Sequence, residues 1–164
     1  KSKIYLFYIM PNTLTRARPD ESRFYYHFIK CGFSTSSTLK LYIPLAASDS
    51  LGEVTSPTGL AESLVMMCPF DGSLETIWAR ATGTPGSTVI GYHLSTTASE
   101  FPSTTATQTV TVDMAVDDTS YEFDFASAGT NTFSQGNTIM FSIDPTARMY
   151  DIHFMIVLKF DVTT

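Results

Sequence analysis

Strict alternation of apolar and polar positions is the clearest signal in this chain. Between residues 150 and 163, Tyr150, Ile152, Phe154, Ile156, Leu158, Phe160 and Val162 take one parity. Asp151, His153, Met155, Val157, Lys159, Asp161 and Thr163 take the other. A period of two fits a long β-strand and not a helix, because successive strand side chains point to opposite faces. Burying one such apolar side chain contributes about 1.5–3 kcal/mol before entropy is counted. The second parity is polar at its ends but apolar at Met155 and Val157. Its middle is therefore expected to be covered too, by a neighbouring subunit.

The same pattern recurs upstream. Phe24, Tyr26 and Phe28 alternate with Arg23, Tyr25 and His27, and Leu39, Leu41, Ile43 and Leu45 alternate with Lys40 and Tyr42. Leu64 to Cys68 is a continuous apolar run, which predicts a strand buried on both faces. Further strands are predicted at 74–79, 89–94 and 107–114. Tyr121, Phe123 and Phe125 alternate with Glu122 and Asp124, and Ile139, Phe141 and Ile143 with Met140, Ser142 and Asp144. Turn chemistry separates these runs: Asp71-Gly72, the stretch Thr82 to Gly86, the stretch around Pro102, Asp117-Asp118, Ser134 to Asn137, and Asp144-Pro145-Thr146. The single helical candidate is one turn at 57–63. Short strands at this spacing predict an all-β fold, an antiparallel β-sandwich of jelly-roll type. Pro11 and Pro19 interrupt residues 1–22, which are read as an N-terminal arm or edge strand before one sandwich domain at 23–164.

Composition agrees. Of 164 residues, 24 are Thr and 18 are Ser, aromatics make up 13%, and charged residues only 16%. Thr, Tyr, Phe and Val favour strands, and so many aromatics exclude a disordered chain. The net charge of -6 is uneven. Residues 1–40 carry seven cations against two acids, a net of +5, while residues 41–164 carry three cations against 14 acids, a net of -11. An acidic body does not suit nucleic acid. The basic head, with Lys1, Lys3, Arg16, Arg18 and Arg23, is expected to dock on an acidic partner surface. Two cysteines, Cys31 and Cys68, form no disulfide framework or metal site and read as buried thiols. No run of 18 apolar residues exists, so no membrane insertion is expected.

A search for catalytic chemistry gives little. No nucleophile elbow, phosphate loop, dinucleotide fingerprint or zinc-protease motif is present. His27, His93 and His153 each sit in a strand pattern and read as surface or packed-face histidines. Asp117, Asp118, Glu122 and Asp124 could supply calcium oxygens, but no EF-hand spacing accompanies them, and a solvated acidic face is the simpler reading. Trp78, Tyr92 and Tyr121 are the aromatics that a carbohydrate platform would use. No enzyme activity, cofactor or metal is expected.

Several stretches carry a family resemblance. Met67-Cys68-Pro69-Phe70-Asp71-Gly72-Ser73-Leu74-Glu75, Val89-Ile90-Gly91-Tyr92-His93, the run Ala106 to Met114 (ATQTVTVDM) and the run Phe133 to Thr146 (FSQGNTIMFSIDPT) occur in that order. Together with the closing strand at 157–162, this set resembles small structural virion proteins of tailed bacteriophages. The C-terminal half is also similar to the trimeric jelly roll of the tumour-necrosis-factor/C1q type. Asn137 stands where that pattern usually has Asp. The resemblance covers about residues 64–164, and residues 1–63 match no pattern.

The resemblance implies a virion component assembled in a bacterial host cytoplasm, a homotrimer that acts as a capsid decoration or cement protein. Its partners would be the major capsid protein or other virion proteins, with a host surface glycan as a further candidate. The alternative is the receptor-binding knob of a tail fibre or spike. Ile152, Phe154, Ile156, Leu158, Phe160, Phe141 and Ile143 are the residues expected to form the trimer and core strands. The irregular, basic N-terminus favours decoration, because a fibre tip usually follows a repetitive stalk.

Overall fold

The computed structural model describes residues 23–45, 63–96 and 102–162. The predicted arm at 1–22, with Lys1, Lys3, Arg16 and Arg18, lies outside the described residues, as does the helical turn at 57–63 except for Ser63. Ten strands form among the described residues: β1 (Phe24–Phe33), β2 (Leu41–Tyr42), β3 (Val65–Met67), β4 (Gly72–Thr82), β5 (Gly86–Ser95), β6 (Gln108–Met114), β7 (Ser120–Asp124), β8 (Thr132–Phe133), β9 (Thr138–Pro145) and β10 (Tyr150–Asp161). All pairings are antiparallel.

Two five-stranded sheets result. One runs β1-β10-β4-β7 with β8 also on β4, and the other runs β2-β9-β5-β6 with β3 also on β9. The pairs nest: β5 with β6, β4 with β7, β2 with β9, and β1 with β10. That is one long antiparallel ribbon rolled into two layers, the jelly roll that the alternation predicted. Each layer buries its inward parity against the other. Ile77, Leu74, Phe123, Ile152, Phe154, Ile156 and Leu158 come from the first sheet, and Ile90, Tyr92, Ile139, Phe141 and Ile143 from the second. All seven residues expected for the trimer and core strands thus pack inside one chain.

Three expectations are corrected. Tyr150 was grouped with the buried parity of β10, but it is exposed and Met149 is buried instead. A register shift between Tyr150 and His153, with Asp151 at φ 42°, inserts a β-bulge that resets the parity there. The run at 64–68 was expected to be buried on both faces, but Met67 is exposed. Its strand, β3, is three residues long and, among the described residues, pairs with β9 alone. The alternation at 39–45 yields only the two-residue β2, and Leu39 is exposed.

The turns predicted at 82–86, 117–118 and 134–137 lie where expected, while part of the loop around Pro102 lies outside the described residues. Gly83 and Gly86 take φ of 96° and 72° between β4 and β5, a conformation that glycine adopts without Cβ strain. Cys31 and Cys68 are free and buried. Burial pushes both thiols up to about 12, since a thiolate would lose its hydration.

Candidate functional site

The first candidate is a cluster of turns at one end of the sandwich. The loop before β4 is laced to the turn before β9. The Cys68 amide donates to the Asn137 carbonyl (2.8 Å) and the Gly136 amide to the Cys68 carbonyl (2.9 Å). The Gln135 amide donates to Asp71 Oδ1 at 2.7 Å. Asn137 closes its own turn, with Oδ1 accepting from the Ser134 amide at 2.8 Å. An Asp carboxylate could accept the same bond, so the Asn at this position keeps the turn intact. At Gly72 a Cβ would run into the Phe133 ring, which lies edge-on to Phe160 at 5.7 Å. The two most distinctive stretches of sequence, 67–75 and 133–146, therefore form a single joint. Arg23 enters beside it, its carbonyl accepting from the Val162 amide at 2.9 Å.

The second candidate is the outward face of the β1-β10-β4-β7 sheet. Register sets its rows. Phe28 lies beside Val157, Val157 beside Thr76, and Thr76 beside Asp124. The next row runs Lys30, Met155, Trp78 and Glu122. Phe24 and Tyr26 point to the same face, and Lys159 Nζ sits 3.9 Å from the centroid of the Phe24 ring. Phe28 is 60% exposed, Phe24 50%, Tyr26 48% and Met155 41%. Met155 and Val157, read as a covered patch, thus divide: Val157 is buried within the chain and Met155 is open. In β1 it is Ile29, Cys31 and Phe33 that turn inward, not the parity of Phe24, Tyr26 and Phe28. The neighbours Phe154 and Ile156 across the ladder dictate that choice.

The third candidate is a buried polar pair on the outward side of the other sheet. His93 Nδ1 lies 2.8 Å from the Ser103 carbonyl oxygen, and Nε2 lies 2.9 Å from Ser142 Oγ. A carbonyl only accepts, so Nδ1 carries the proton and Nε2 accepts from the Ser142 hydroxyl. The Tyr42 ring lies 5.6 Å from the imidazole, tilted by 54°, and Lys40 Nζ donates to the Thr104 carbonyl at 3.0 Å. Burial holds the imidazole below its ordinary range, and nearby Lys40 adds to this against the Ser103 and Thr105 carbonyls. A serine and a histidine in contact are the elements of nucleophilic chemistry, and both are buried here, His93 at 0% and Ser142 at 2% exposure. The pair ties the segment at 102–107 to the sheet. The sequence signal for it was Gly91, a glycine inside a strand, which marks close approach.

The acidic residues have structural uses. Asp117 Oδ1 accepts from the Gly83 amide at 2.6 Å, and Asp118 pairs with Arg80 at 3.2 Å. Asp124 binds the Ser127 hydroxyl and amide, bonds that hold its carboxyl below the usual range. No group of three or more potential metal ligands occurs among the described residues. Of the carbohydrate-platform aromatics, Tyr92 is fully buried, and the Tyr121 hydroxyl is held by the Val116 amide at 2.7 Å. Trp78 is half-buried on the outward sheet face.

No protein-family profile matches the chain, and no curated protein matches it. Among solved structures it is similar to the acidic stable capsid structure of Helicobacter pylori bacteriophage KHP30, at 8% identity over 88% of this chain and 95% of that one, with a TM-score of 0.41. It is also similar to the structure of infectious bursal disease virus, Gx strain, at 11% identity over 87% of this chain, with a TM-score of 0.42. This chain spans 33% of the length of that second protein.

Proposed function

We propose that this chain is a structural protein of a tailed-bacteriophage virion, a trimeric decoration protein that docks on the head surface. The observation that carries the reading is where the phage-like stretches fall in the fold. The stretches at 67–75 and 133–146 make the joint that fixes β3, β4, β8 and β9. The stretch at 89–93 supplies Gly91 and His93 to the buried pair. The set therefore specifies a shape rather than a reactive centre, which suits a protein whose work is assembly. An exposed aromatic sheet face supports association, since soluble monomers rarely leave a contiguous apolar patch bare. A trimer fits the local threefold positions of an icosahedral lattice by symmetry.

The docking element is the basic head, with Lys1, Lys3, Arg16, Arg18 and Arg23, and its partner is an acidic surface of the major capsid protein. Gold-labelled antibody on intact particles tests the reading: label is expected on the head. Label confined to the tail would replace decoration with the fibre-knob alternative. A chain lacking residues 1–22 is expected to fold but not to bind particles. Normal occupancy by that chain would overturn the role of the arm.

A further inference from the structure

The geometry points to the outward face of the β1-β10-β4-β7 sheet as the surface on which a second copy of this chain packs, its β1–β10 half meeting the β4–β7 half of the neighbour. The inference rests on the self-association proposed above and names its surface. Three observations carry it. The face holds Phe24, Tyr26, Phe28, Met155 and Trp78 on one continuous ladder, and the first four are at least 41% exposed. Aromatic and Met side chains of this kind are enriched in interface cores.

The second observation is charge. The row Lys30–Met155–Trp78–Glu122 is polarised along its length. On the β1–β10 side lie Lys30 and Lys159, with Asp161 opposite Phe24; on the other side lie Glu122 and Asp124 of β7, with Arg80 of β4 paired to Asp118. A copy placed with its β7 side against β1 of another sets Glu122 and Asp124 near Lys30 and Lys159. A copy placed with like sides together sets lysine against lysine. The row from Lys30 to Glu122 is thus better matched to a copy with the sides exchanged than to one with like sides together.

The third observation is size. Strands β1, β10, β4 and β7 have 10, 12, 11 and 5 residues, which at about 3.3 Å per residue and about 4.8 Å between strands give a face on the order of 600 Å² before side chains add to it. Standard interfaces bury about 800 Å² per partner. The whole face is comparable with one such contact, and in a trimer its two halves serve two neighbours.

The test uses the full chain. Light scattering of the unaltered protein should give about 54 kDa, three times 18.1 kDa. Phe28→Lys should weaken association by about 30-fold, as loss of a central aromatic anchor does. Glu122→Lys and Lys30→Glu should each weaken it, and the double variant K30E/E122K should restore it. Far-UV circular dichroism checks that each variant folds, and since Phe28 and Glu122 are exposed, it should not change. In a K30C/E122C variant a disulfide should join separate chains, because within one chain those positions stand three strand spacings apart, about 14 Å, beyond disulfide reach. A trimer unaffected by Phe28→Lys, with no bridge in K30C/E122C, overturns this face and leaves the trimer. A bridged species of about 36 kDa supports the face and overturns the trimer. A monomeric unaltered protein overturns both, as does a cross-link from position 28 to residues 1–22 of the same chain.

Discussion

His93 Nε2 accepts a hydrogen bond from Ser142 Oγ at 2.9 Å, and the two residues are 49 positions apart in the chain. One sits on β5 and the other on β9, adjacent antiparallel strands. The same imidazole holds the Ser103 carbonyl. Neutral His93 is therefore a rivet between the sheet and the segment that covers it.

Acid should loosen that rivet. The folded state holds His93 below its ordinary value of 6.5, so the unfolded chain binds more protons as pH falls below about 6.5. The pair's contribution is present above that pH and is lost progressively as pH falls through the folded value. A protonated Nε2 would also become a donor facing the Ser142 hydroxyl, which would have to turn its own proton away. Urea midpoints measured from pH 7 down to pH 4.5 should fall, and the fall should shrink in His93→Gln. An equal slope in both proteins would remove His93 from the account.

Gly91 should not tolerate a side chain. A Cβ there would lie 2.6 Å from Ser142 Oγ and 3.1 Å from His93 Nε2. Gly91→Ala is expected to cost about 1–3 kcal/mol, the usual range for overpacking. Ser142→Ala removes the crowded hydroxyl, so G91A/S142A should cost less than the sum of the two single changes. Additive costs in denaturant unfolding would show that the crowding is not at this pair.

The joint between the 67–75 and 133–146 stretches should depend on an acceptor at position 71. Asp71→Ala orphans the Gln135 amide and is expected to cost about 1 kcal/mol, whereas Asp71→Asn keeps an acceptor oxygen and should be nearly neutral. Faster hydrogen exchange at the Gln135 amide in Asp71→Ala but not in Asp71→Asn would identify the bond as the cause.

Both thiols should be inert in the folded protein. Burial pushes Cys31 and Cys68 to about 12. At pH 8 a thiol-specific reagent should label neither until denaturant is added, and then label both. Because an unfolded thiol ionises near 9.0, their contribution to stability is complete below that pH and is lost as pH rises above it. With His93 acting on the acid side, stability should be greatest between about pH 6.5 and 9.

The stretches of sequence alone determined the layers of this protein. A period of two is a local property of an extended chain, so the strands at β4, β5, β7, β9 and β10, the turns at Gly83 and Gly136 and the end of β9 at Pro145 were legible without tertiary knowledge. The identity of the inward face was not always so. In β9 and β10 one parity is plainly more apolar, and that parity is buried. In β1 both parities are aromatic, and only the ladder to β10 decides that Phe24, Tyr26 and Phe28 turn outward. The bulge at Asp151 that exposes Tyr150 also arises between strands rather than within one. The candidate sites share that origin. Ser142 and His93, Asp71 and Gln135, and the rows from Lys30 to Glu122 are brought together by register between strands distant in sequence. Hydrophobic periodicity fixes where a strand runs and which way its residues alternate. It carries no information about which residue of another strand lies opposite, and that pairing is set by the burial of all ten strands at once.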